Sequence, residues 1–246
     1  MSLAPDLLAI DAGNTRVKGG WFADGNLVRH EAWRTADVVR IFASDVPPRV
    51  IASNVAGPHI GAQIMEQCAL NGAALHVIRS LPAQCGVVNG YREPAQLGTD
   101  RWAALIAARA ASDGACLVVV AGTATTVDML HPDGRFLGGV IVPGLALMRQ
   151  SLSRGTAQLP DEEGAVTDFP ASTPEAIANG ALKATLGAID RMRATLAQAS
   201  GAPPRVLISG GAAPALLPHL DTTKAFEWRE HLVLEGLRRI AREAFG

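Results

Sequence analysis

The chain has 246 residues and a formal net charge of −1, and 48% of its residues are hydrophobic, so it can bury a substantial core in one large domain or two small ones. The near-neutral charge and the 4% of aromatic residues argue against a basic nucleic-acid surface with stacking rings. No segment approaches the roughly 18 apolar residues of a membrane helix, and the three cysteines lack zinc or disulfide spacing, so we expect a cytoplasmic protein that binds neither membranes nor nucleic acids.

The first half of the chain alternates apolar runs with turns that contain Gly and Pro. Asp24-Gly25, a strong two-residue hairpin signal, joins the second predicted strand to the third. Pro58 stands where a helix tolerates proline, in its first turn. Residues 80–99 have no period, which is typical of a long loop that is either functional or disordered. The predicted elements are strands at 7–12, 16–22 and 27–34, a short helix at 36–43, a strand at 50–54, a helix at 58–70 and a strand at 76–79.

The second half repeats this order after a helix that begins at Asp100. Asp133-Gly134 gives a second hairpin signal. Residues 153–172 form a second aperiodic loop, after which Thr173 as N-cap and Pro174 in the first turn predict a long helix. The predicted elements are strands at 116–121, 124–130 and 135–142, a helix from 144 to about 152, the long helix from 173, a strand at 206–209 and a closing helix at 230–245.

An internal repeat relates the two halves. Residues 11–28 align without a gap with residues 120–137, and each segment contains a Gly-rich turn, an extended stretch and Asp-Gly. A strand–turn–strand built twice predicts an α/β protein with a duplicated fold, in which two Gly-rich turns form a phosphate clamp. We expect the boundary between the lobes in the helix that starts at Asp100, giving lobes of residues 1–105 and 106–246.

The first Gly-rich turn carries residue types that bind phosphate. Gly13 lets the backbone approach a phosphate closely, and Asn14 and Thr15 can donate hydrogen bonds. Asp11 can hold a magnesium ion through water, and Lys18 on the next strand can neutralise a phosphate oxygen. A hairpin with self-capping side chains and a solvated lysine would explain the same residues without a function. The second Gly- and Thr-rich copy favours a nucleotide site.

A second candidate site lies at a loop-to-helix junction, residues 98–101. In one interpretation Asp100 is an N-cap and Arg101 a surface residue. In the other, Arg101 binds the carboxylate of an anionic alcohol and Asp100 accepts its hydroxyl proton. Tyr91, the only tyrosine in the chain, could close that pocket. The glycines at 138–144 and 209–212 are interpreted either as strand-end turns or as close approaches to a ligand.

Five motifs in chain order carry a family resemblance. They are DxGNTxxK at residues 11–18, GxDR at 98–101, GTATTxD at 122–128, GGxIxPG at 138–144 and GG at 210–211. Together they resemble the type III pantothenate kinases, in the superfamily of acetate and sugar kinases, Hsp70 and actin, over about residues 8–237. The resemblance implies two ribonuclease-H-like lobes around a nucleotide cleft and a homodimer. It also implies transfer of the ATP γ-phosphate to the hydroxyl of pantothenate, giving 4′-phosphopantothenate for coenzyme A biosynthesis.

The resemblance also assigns roles to residues. It implies that Asp100 is the catalytic base and that Thr173 reaches pantothenate, from the other subunit. The implied ATP contacts are Asp11, Ala12, Gly13, Asn14, Thr15, Arg16, Val17, Lys18 and Thr123. The implied pantothenate contacts are Tyr91, Gly98, Thr99, Asp100, Arg101 and Thr173.

One position departs from the family pattern. The family has an aspartate two residues before the glycine of GTATT, where it coordinates K⁺ or NH₄⁺, and here that residue is Val120. Because valine offers no oxygen ligand, either another group substitutes for the aspartate or the ion is dispensed with, and we predict activity that is nearly independent of this cation. Two alternatives to the function stay open: a kinase of the same superfamily with another acceptor, and a non-catalytic ATP-binding regulator of transcription. Retention of Asp100 and Lys18 favours a catalyst.

Overall fold

A computed structural model describes residues 4–221 and 225–246. The strands are β1 Leu7–Ala12, β2 Arg16–Ala23, β3 Asn26–Arg34, β4 Arg49–Asn54, β5 Ala74–Val77, β6 Ala83–Gln84, β7 Val87–Asn89, β8 Cys116–Ala121, β9 Ala124–Leu130, β10 Arg135–Pro143, β11 Arg205–Ser209 and β12 Phe226–Trp228. The helices are α1 Pro58–Leu70, α2 Thr99–Ala111, α3 Leu145–Gly155, α4 Thr173–Ser200, α5 Ala213–Leu216 and α6 Leu232–Ala244, and 3₁₀ turns lie at Thr35–Phe42, Pro94–Gln96 and Leu217–His219.

The chain forms two compact units. The first contains Met1–Ala111, Gly134–Phe136 and His231–Gly246, and the second contains Ser112–Asp133 and Leu137–Glu230. The closing helix α6 therefore belongs to the first unit, whereas the division at residues 105 and 106 assigned it to the second lobe. The predicted boundary separates two ribonuclease-H-like lobes, whereas the two units are defined by their internal contacts. The boundary between the lobes therefore stays a prediction.

A five-stranded sheet, in the order β3-β2-β1-β4-β5, is the framework of the first unit. The apolar strand β1 lies at its centre, antiparallel to β2 and parallel to β4. One face of the sheet is covered by α1, whose Ile60, Ile64 and Cys68 join a buried core with Leu8 and Ile10. Because side chains alternate along a strand, Asp11 lies on the face opposite Ile10.

Helices α2 and α6 pack closely within the first unit. A Cβ on Gly236 of α6 would lie 1.9 Å from the carbonyl oxygen of Ala103 in α2, so only glycine allows this approach. The apolar sequence WAALIAA of α2 is buried from Trp102 to Ala108. Residues 135–136 of β10 pair with β7, and β7 pairs with β6. This packing fixes the start of α2, which carries Asp100.

The second unit repeats the central pattern of the first. Its strands follow the order β12-β11-β8-β9-β10, and β8 is antiparallel to β9 and parallel to β11, as β1 is to β2 and β4. Helix α4 covers one face of this sheet with Leu182, Ile189 and Leu196. The predicted duplication of a strand–turn–strand unit in an α/β fold is therefore confirmed.

Several local predictions need correction. The helix predicted at 36–43 is a 3₁₀ turn at Thr35–Phe42, and the strand predicted at 76–79 is Ala74–Val77. Residues 80–99, predicted as a loop, include β6, β7 and a 3₁₀ turn. The N-cap of α4 is Ser172 rather than Thr173, because the Ser172 hydroxyl accepts from the Glu175 amide at 3.4 Å. Among the residues described, no helix is long and apolar enough to cross a membrane.

Candidate active site

The first Gly-rich turn, between β1 and β2, is held from within the first unit. The Gly13 amide donates to the Arg16 carbonyl at 3.1 Å. Thr35, the first residue of the 3₁₀ turn that follows β3, fixes the Gly-rich turn: its hydroxyl donates to the Gly13 carbonyl at 2.6 Å and its amide to the Thr15 carbonyl at 3.1 Å. Asn14, Thr15 and Arg16 are exposed. The turn therefore has a fixed backbone and presents its side chains to solvent, as an anion-binding turn requires.

Asp11 lies at the end of β1 between two cross-strand neighbours. Lys18 of β2 and Ser53 of β4 are its partners in the sheet register. Burial raises the pKa of Asp11 to about 6, Lys18 opposes this rise, and the negative charge of Asp100 adds to it. Asp11 and Asp100 are therefore close enough for their charges to interact.

The start of α2 positions the carboxylate of Asp100. A Cβ on Gly98 would lie 2.6 Å from Oδ1 of Asp100, so glycine leaves room for this carboxylate. The same Oδ1 accepts from the Arg101 amide at 2.8 Å. The hydroxyl oxygens of Thr99 and Ser53 are 2.8 Å apart, and Ser53 is fully buried. Sequence reasoning missed Ser53, although a serine at the end of an apolar strand was a usable signal.

Arg101 is buried in an aromatic pocket. It is only 4% exposed, and its Nη1 donates to the Tyr91 hydroxyl at 3.0 Å. The guanidinium carbon lies 5.7 Å from the ring centre of Tyr91 and 5.8 Å from that of Phe136, and the two rings are 5.4 Å apart. A guanidinium that packs against two rings has a fixed orientation and little contact with water. The interpretation of Arg101 as a surface residue is therefore wrong. Phe136 was missed, because its position in β10 carries no chemical signal.

The second Gly-rich turn lies between β8 and β9 in the second unit. Thr123 is exposed, and its carbonyl accepts from the Gly144 amide at 2.9 Å. A Cβ on Gly144 would lie 2.1 Å from the Gly122 carbonyl oxygen, and one on Gly210 would lie 2.1 Å from the Ala121 carbonyl oxygen. At these two positions glycine is required by contact with the backbone of the turn, which accounts for them without a ligand.

Val120 occupies the place in the second sheet that Asp11 occupies in the first. Its register partners are Thr126 of β9 and Ser209 of β11, which correspond to Lys18 and Ser53. Val120 is half-buried. The Thr126 hydroxyl is buried and makes no hydrogen bond to any residue in the described part of the chain. The two register neighbours of Val120 therefore offer hydroxyl groups rather than carboxylates, a weak donor set for a cation.

Thr173 lies in a groove of the second unit. It is exposed, in the first turn of α4, and with Met148 and Leu152 of α3 it lines a cavity of about 810 Å³. The segment that leads to α4 exposes apolar side chains, with Phe169 88% exposed. Thr173 is therefore available to a ligand or to a second protein chain.

Comparisons with known proteins identify the family to which the sequence is similar. The sequence model of the type III pantothenate kinase family matches residues 7–195. The type III pantothenate kinase of Aromatoleum aromaticum is 47% identical over 243 residues, covering 96% of this chain and 98% of that protein. A second relative of the same name, from Nitrosospira multiformis, is 45% identical over 97% of this chain and 92% of its own length.

A solved structure supports the fold. A conserved putative Baf family transcriptional activator from Campylobacter jejuni matches with a TM-score of 0.63 and 21% identity, over 96% of this chain and 98% of that chain. Sugar kinases also occur among the similar structures, at lower identity. The chain thus has the duplicated α/β fold of sugar kinases and actin-like ATPases, as the sequence predicted.

Proposed function

The chain belongs to the type III pantothenate kinase family, and we propose that Asp100 is the base with which it phosphorylates pantothenate. As a member of this family it is an ATP-dependent kinase that converts pantothenate to 4′-phosphopantothenate in coenzyme A biosynthesis. The observation that carries the proposal is the junction at the start of α2. There the carboxylate of Asp100 stands one residue from a buried guanidinium and within electrostatic reach of Asp11.

Asp100 and Arg101 contact different groups of the acceptor. Arg101, held by Tyr91 at 3.0 Å, binds the pantothenate carboxylate through charge-assisted hydrogen bonds. Asp100 orients the acceptor hydroxyl and takes its proton late, because the transition state of phosphoryl transfer is loose and needs mainly positioning. Tyr91 gives the carbon chain of the acceptor an apolar wall, and the fully buried Phe136 packs behind its ring.

The Gly-rich turns hold ATP. Residues 11–18 surround its phosphates, with Lys18 next to the carboxylate of Asp11 across the sheet. The family resemblance implies a further ATP contact at Thr123, which is exposed. Backbone amides and Lys18 stabilise the charge that develops on the transferred phosphoryl group.

Asp11 is the residue that would hold Mg²⁺, directly or through water. A carboxylate with a pKa raised to about 6, next to a second negative charge, suits a hard divalent cation, which prefers oxygen ligands. Bound Mg²⁺ with ATP supplies neutralisation of the β- and γ-phosphate charge. K⁺ or NH₄⁺ is not required, because Val120 offers no ligand in the place where the family resemblance implies an aspartate.

The enzyme is a cytoplasmic homodimer. The groove around Thr173 and the exposed side chains of Leu147, Leu152 and Phe169 form an apolar surface suited to a second copy of the chain. In the dimer Thr173 reaches the pantothenate of the partner subunit. The cysteines Cys68, Cys85 and Cys116 are free, as a reducing compartment requires.

The acceptor assignment is tested by the products. Purified enzyme with ATP and Mg²⁺ should release ADP only when pantothenate is added, and mass spectrometry should find one phosphate on the acceptor. Pantothenol, which lacks the carboxylate, is the matched control and should be a poor acceptor. Equal rates with both acceptors would contradict the role of Arg101, and ADP release on simple sugars but not on pantothenate would contradict the acceptor.

A further inference from the structure

A small basic pocket lies in the first unit, at the end of β1 remote from the Gly-rich turn. It is bounded by the start of β1, by the Asp24-Gly25 turn and by the last two turns of α6, and its volume is about 70 Å³. Leu7 at this end of β1 pairs with Phe22 of β2, whereas Ala12 at the other end pairs with Val17. At about 3.3 Å per residue the two ends of β1 are roughly 17 Å apart. The pocket is therefore separate from the residues of the proposed active site in this unit.

Two guanidinium groups of α6 converge on Gly25. A Cβ on Gly25 would lie 3.0 Å from Nη2 of Arg242 and 3.1 Å from Nη1 of Arg238. Because the two arginines are four residues apart, they lie on the same face of the helix, one above the other. Burial lowers the pKa of Arg238, the positive charges of Arg242 and Arg239 lower it further, and Glu235 partly offsets this. Like charges are thus held together at the hairpin turn.

The pocket contains too few negative groups to balance its arginines. Arg49 is paired with Asp6 through both its Nη2 and its Nε, the latter donating to the Asp6 carbonyl at 3.3 Å. Among the described residues that line the pocket, Asp6 is the only acidic one, whereas Arg49, Arg238 and Arg242 are basic. Oδ1 of Asp6 is buried and accepts no hydrogen bond from the described residues. The lining therefore has excess positive charge and one buried acceptor.

There is a simpler explanation for the positive charges: arginines near the C-terminus of a helix are stabilised by the helix dipole and can be fully solvated. It does not account for two guanidinium groups that meet over one backbone position inside a pocket. Guanidinium groups bind phosphate oxygens in a planar fork, and a pair of them matches the charge of a dianion. The O–H of hydrogen phosphate or a hydroxyl of an ester can donate to Oδ1 of Asp6.

We propose that the pocket lined by Arg49, Arg238 and Arg242 binds a phosphate group, either inorganic phosphate or the phosphate of a phosphomonoester. This binding site is additional to the proposed active site. It would connect phosphate binding to the β2–β3 hairpin and to α6, the helix that packs on α2.

Calorimetric titration of the full chain with inorganic phosphate tests the proposal. The titrations are done at constant ionic strength with sodium chloride and with saturating non-hydrolysable ATP analogue and Mg²⁺, so that the nucleotide site is occupied. We expect saturable binding by the wild type, and about tenfold or greater weakening in the double variant R238Q/R242Q. R191Q, which changes an exposed arginine of α4, is the matched control and should bind phosphate as the wild type does.

Thermal unfolding in chloride checks the folding of the variants. Because the substitutions remove like-charge repulsion, the double variant should melt at or above the wild-type temperature. If it melts lower, the single variant R242Q, at an exposed position, is titrated instead, with the same expectation of weaker binding. Glycerol 3-phosphate in place of phosphate separates the two ligand sources, since tighter binding of the ester would identify a phosphomonoester. Absence of saturable binding by the wild type, or unchanged affinity in R238Q/R242Q or R242Q, would overturn the proposal.

Discussion

The hydroxyl oxygens of Ser53 and Thr99 lie 2.8 Å apart and tie the end of β4 to the first residue of α2. Ser53 is also the register neighbour of Asp11, and Asp100 follows Thr99 in the chain. This contact therefore fixes the distance between the strand end that holds Asp11 and the helix start that holds Asp100. Because the two hydroxyls bond to each other and Ser53 is fully buried, we assign Ser53 to positioning.

Replacing Ser53 with alanine should lower kcat more than it raises the KM for ATP. The substitution removes the hydrogen bond and leaves the Thr99 hydroxyl without its partner, at a cost of about 1–3 kcal/mol in stability. Thr99→Ser, which retains a hydroxyl, is the matched control and should keep most of the activity. Steady-state kinetics and chemical denaturation measure both effects. A loss of stability with an unchanged kcat would show that the pair serves the fold alone.

Arg101→Ala should raise the KM for pantothenate strongly and leave the affinity for ATP nearly intact. The reason is the loss of a charge-assisted contact to the acceptor carboxylate, typically about 1.5–3 kcal/mol. Arg101→Lys keeps the charge without the planar fork and should recover only part of the effect. Steady-state kinetics with each substrate varied separately measure the two effects. An equal loss of affinity for pantothenate and for ATP would mean that Arg101 is structural.

Activity should be nearly the same in sodium, potassium and ammonium chloride at matched ionic strength. Val120 and its register neighbours Thr126 and Ser209 offer no carboxylate to a cation. Val120→Asp should introduce a response to potassium or, without a bound ion, destabilise the fold by adding a half-buried charge. A several-fold stimulation of the wild type by potassium or ammonium over sodium would mean that other groups supply the ligands.

The stability of the ligand-free enzyme should depend on pH through Asp11. Burial raises its pKa from 3.8 to about 6, so the folded state binds more protons than the unfolded state between these values. The contribution of Asp11 is therefore fully present below pH 3.8 and is lost as the pH rises through about 6, a change on the order of 3 kcal/mol. Asp11→Asn removes this titration.

The difference in unfolding free energy between Asp11→Asn and the wild type isolates that effect, because other groups titrate in both proteins. Urea denaturation from pH 4 to pH 7.5 should show the variant gaining relative stability as the pH rises. A difference that does not change over this range would contradict the raised pKa of Asp11.

The sequence predicted the elements that depend on local signals. Asp24 and Gly25 form the expected hairpin turn with φ values of 49° and 76°, and α1 begins at Pro58 and ends at Leu70 as predicted. The gap-free alignment of the two halves holds up to Ala12 and Ala121 but fails in the turn, because Ala12 pairs with Val17 whereas Ala121 pairs with Thr125. The second turn is one residue shorter, a difference that only the register reveals.

The parts of the site that the sequence did not predict depend on long-range contacts. Ser53 meets Thr99 across 46 positions of sequence, and Thr35 reaches Gly13 across 22. Phe136 comes to Tyr91 and Arg101 because β10 begins beside β7. The N-cap of α4 was misassigned by one residue, since Ser172 and Thr173 are both good caps and only the hydrogen bond to Glu175 distinguishes them.

The measurement that tests the central claim most directly is kcat of Asp100→Asn at saturating ATP and pantothenate. Asparagine keeps the shape of the side chain but cannot take a proton, so nucleotide affinity and thermal unfolding should match the wild type. The account predicts a fall in kcat of about 10²–10⁴-fold, the usual effect of losing a general base. A folded, ATP-binding variant that retained more than about a tenth of the wild-type kcat would contradict Asp100 as the base.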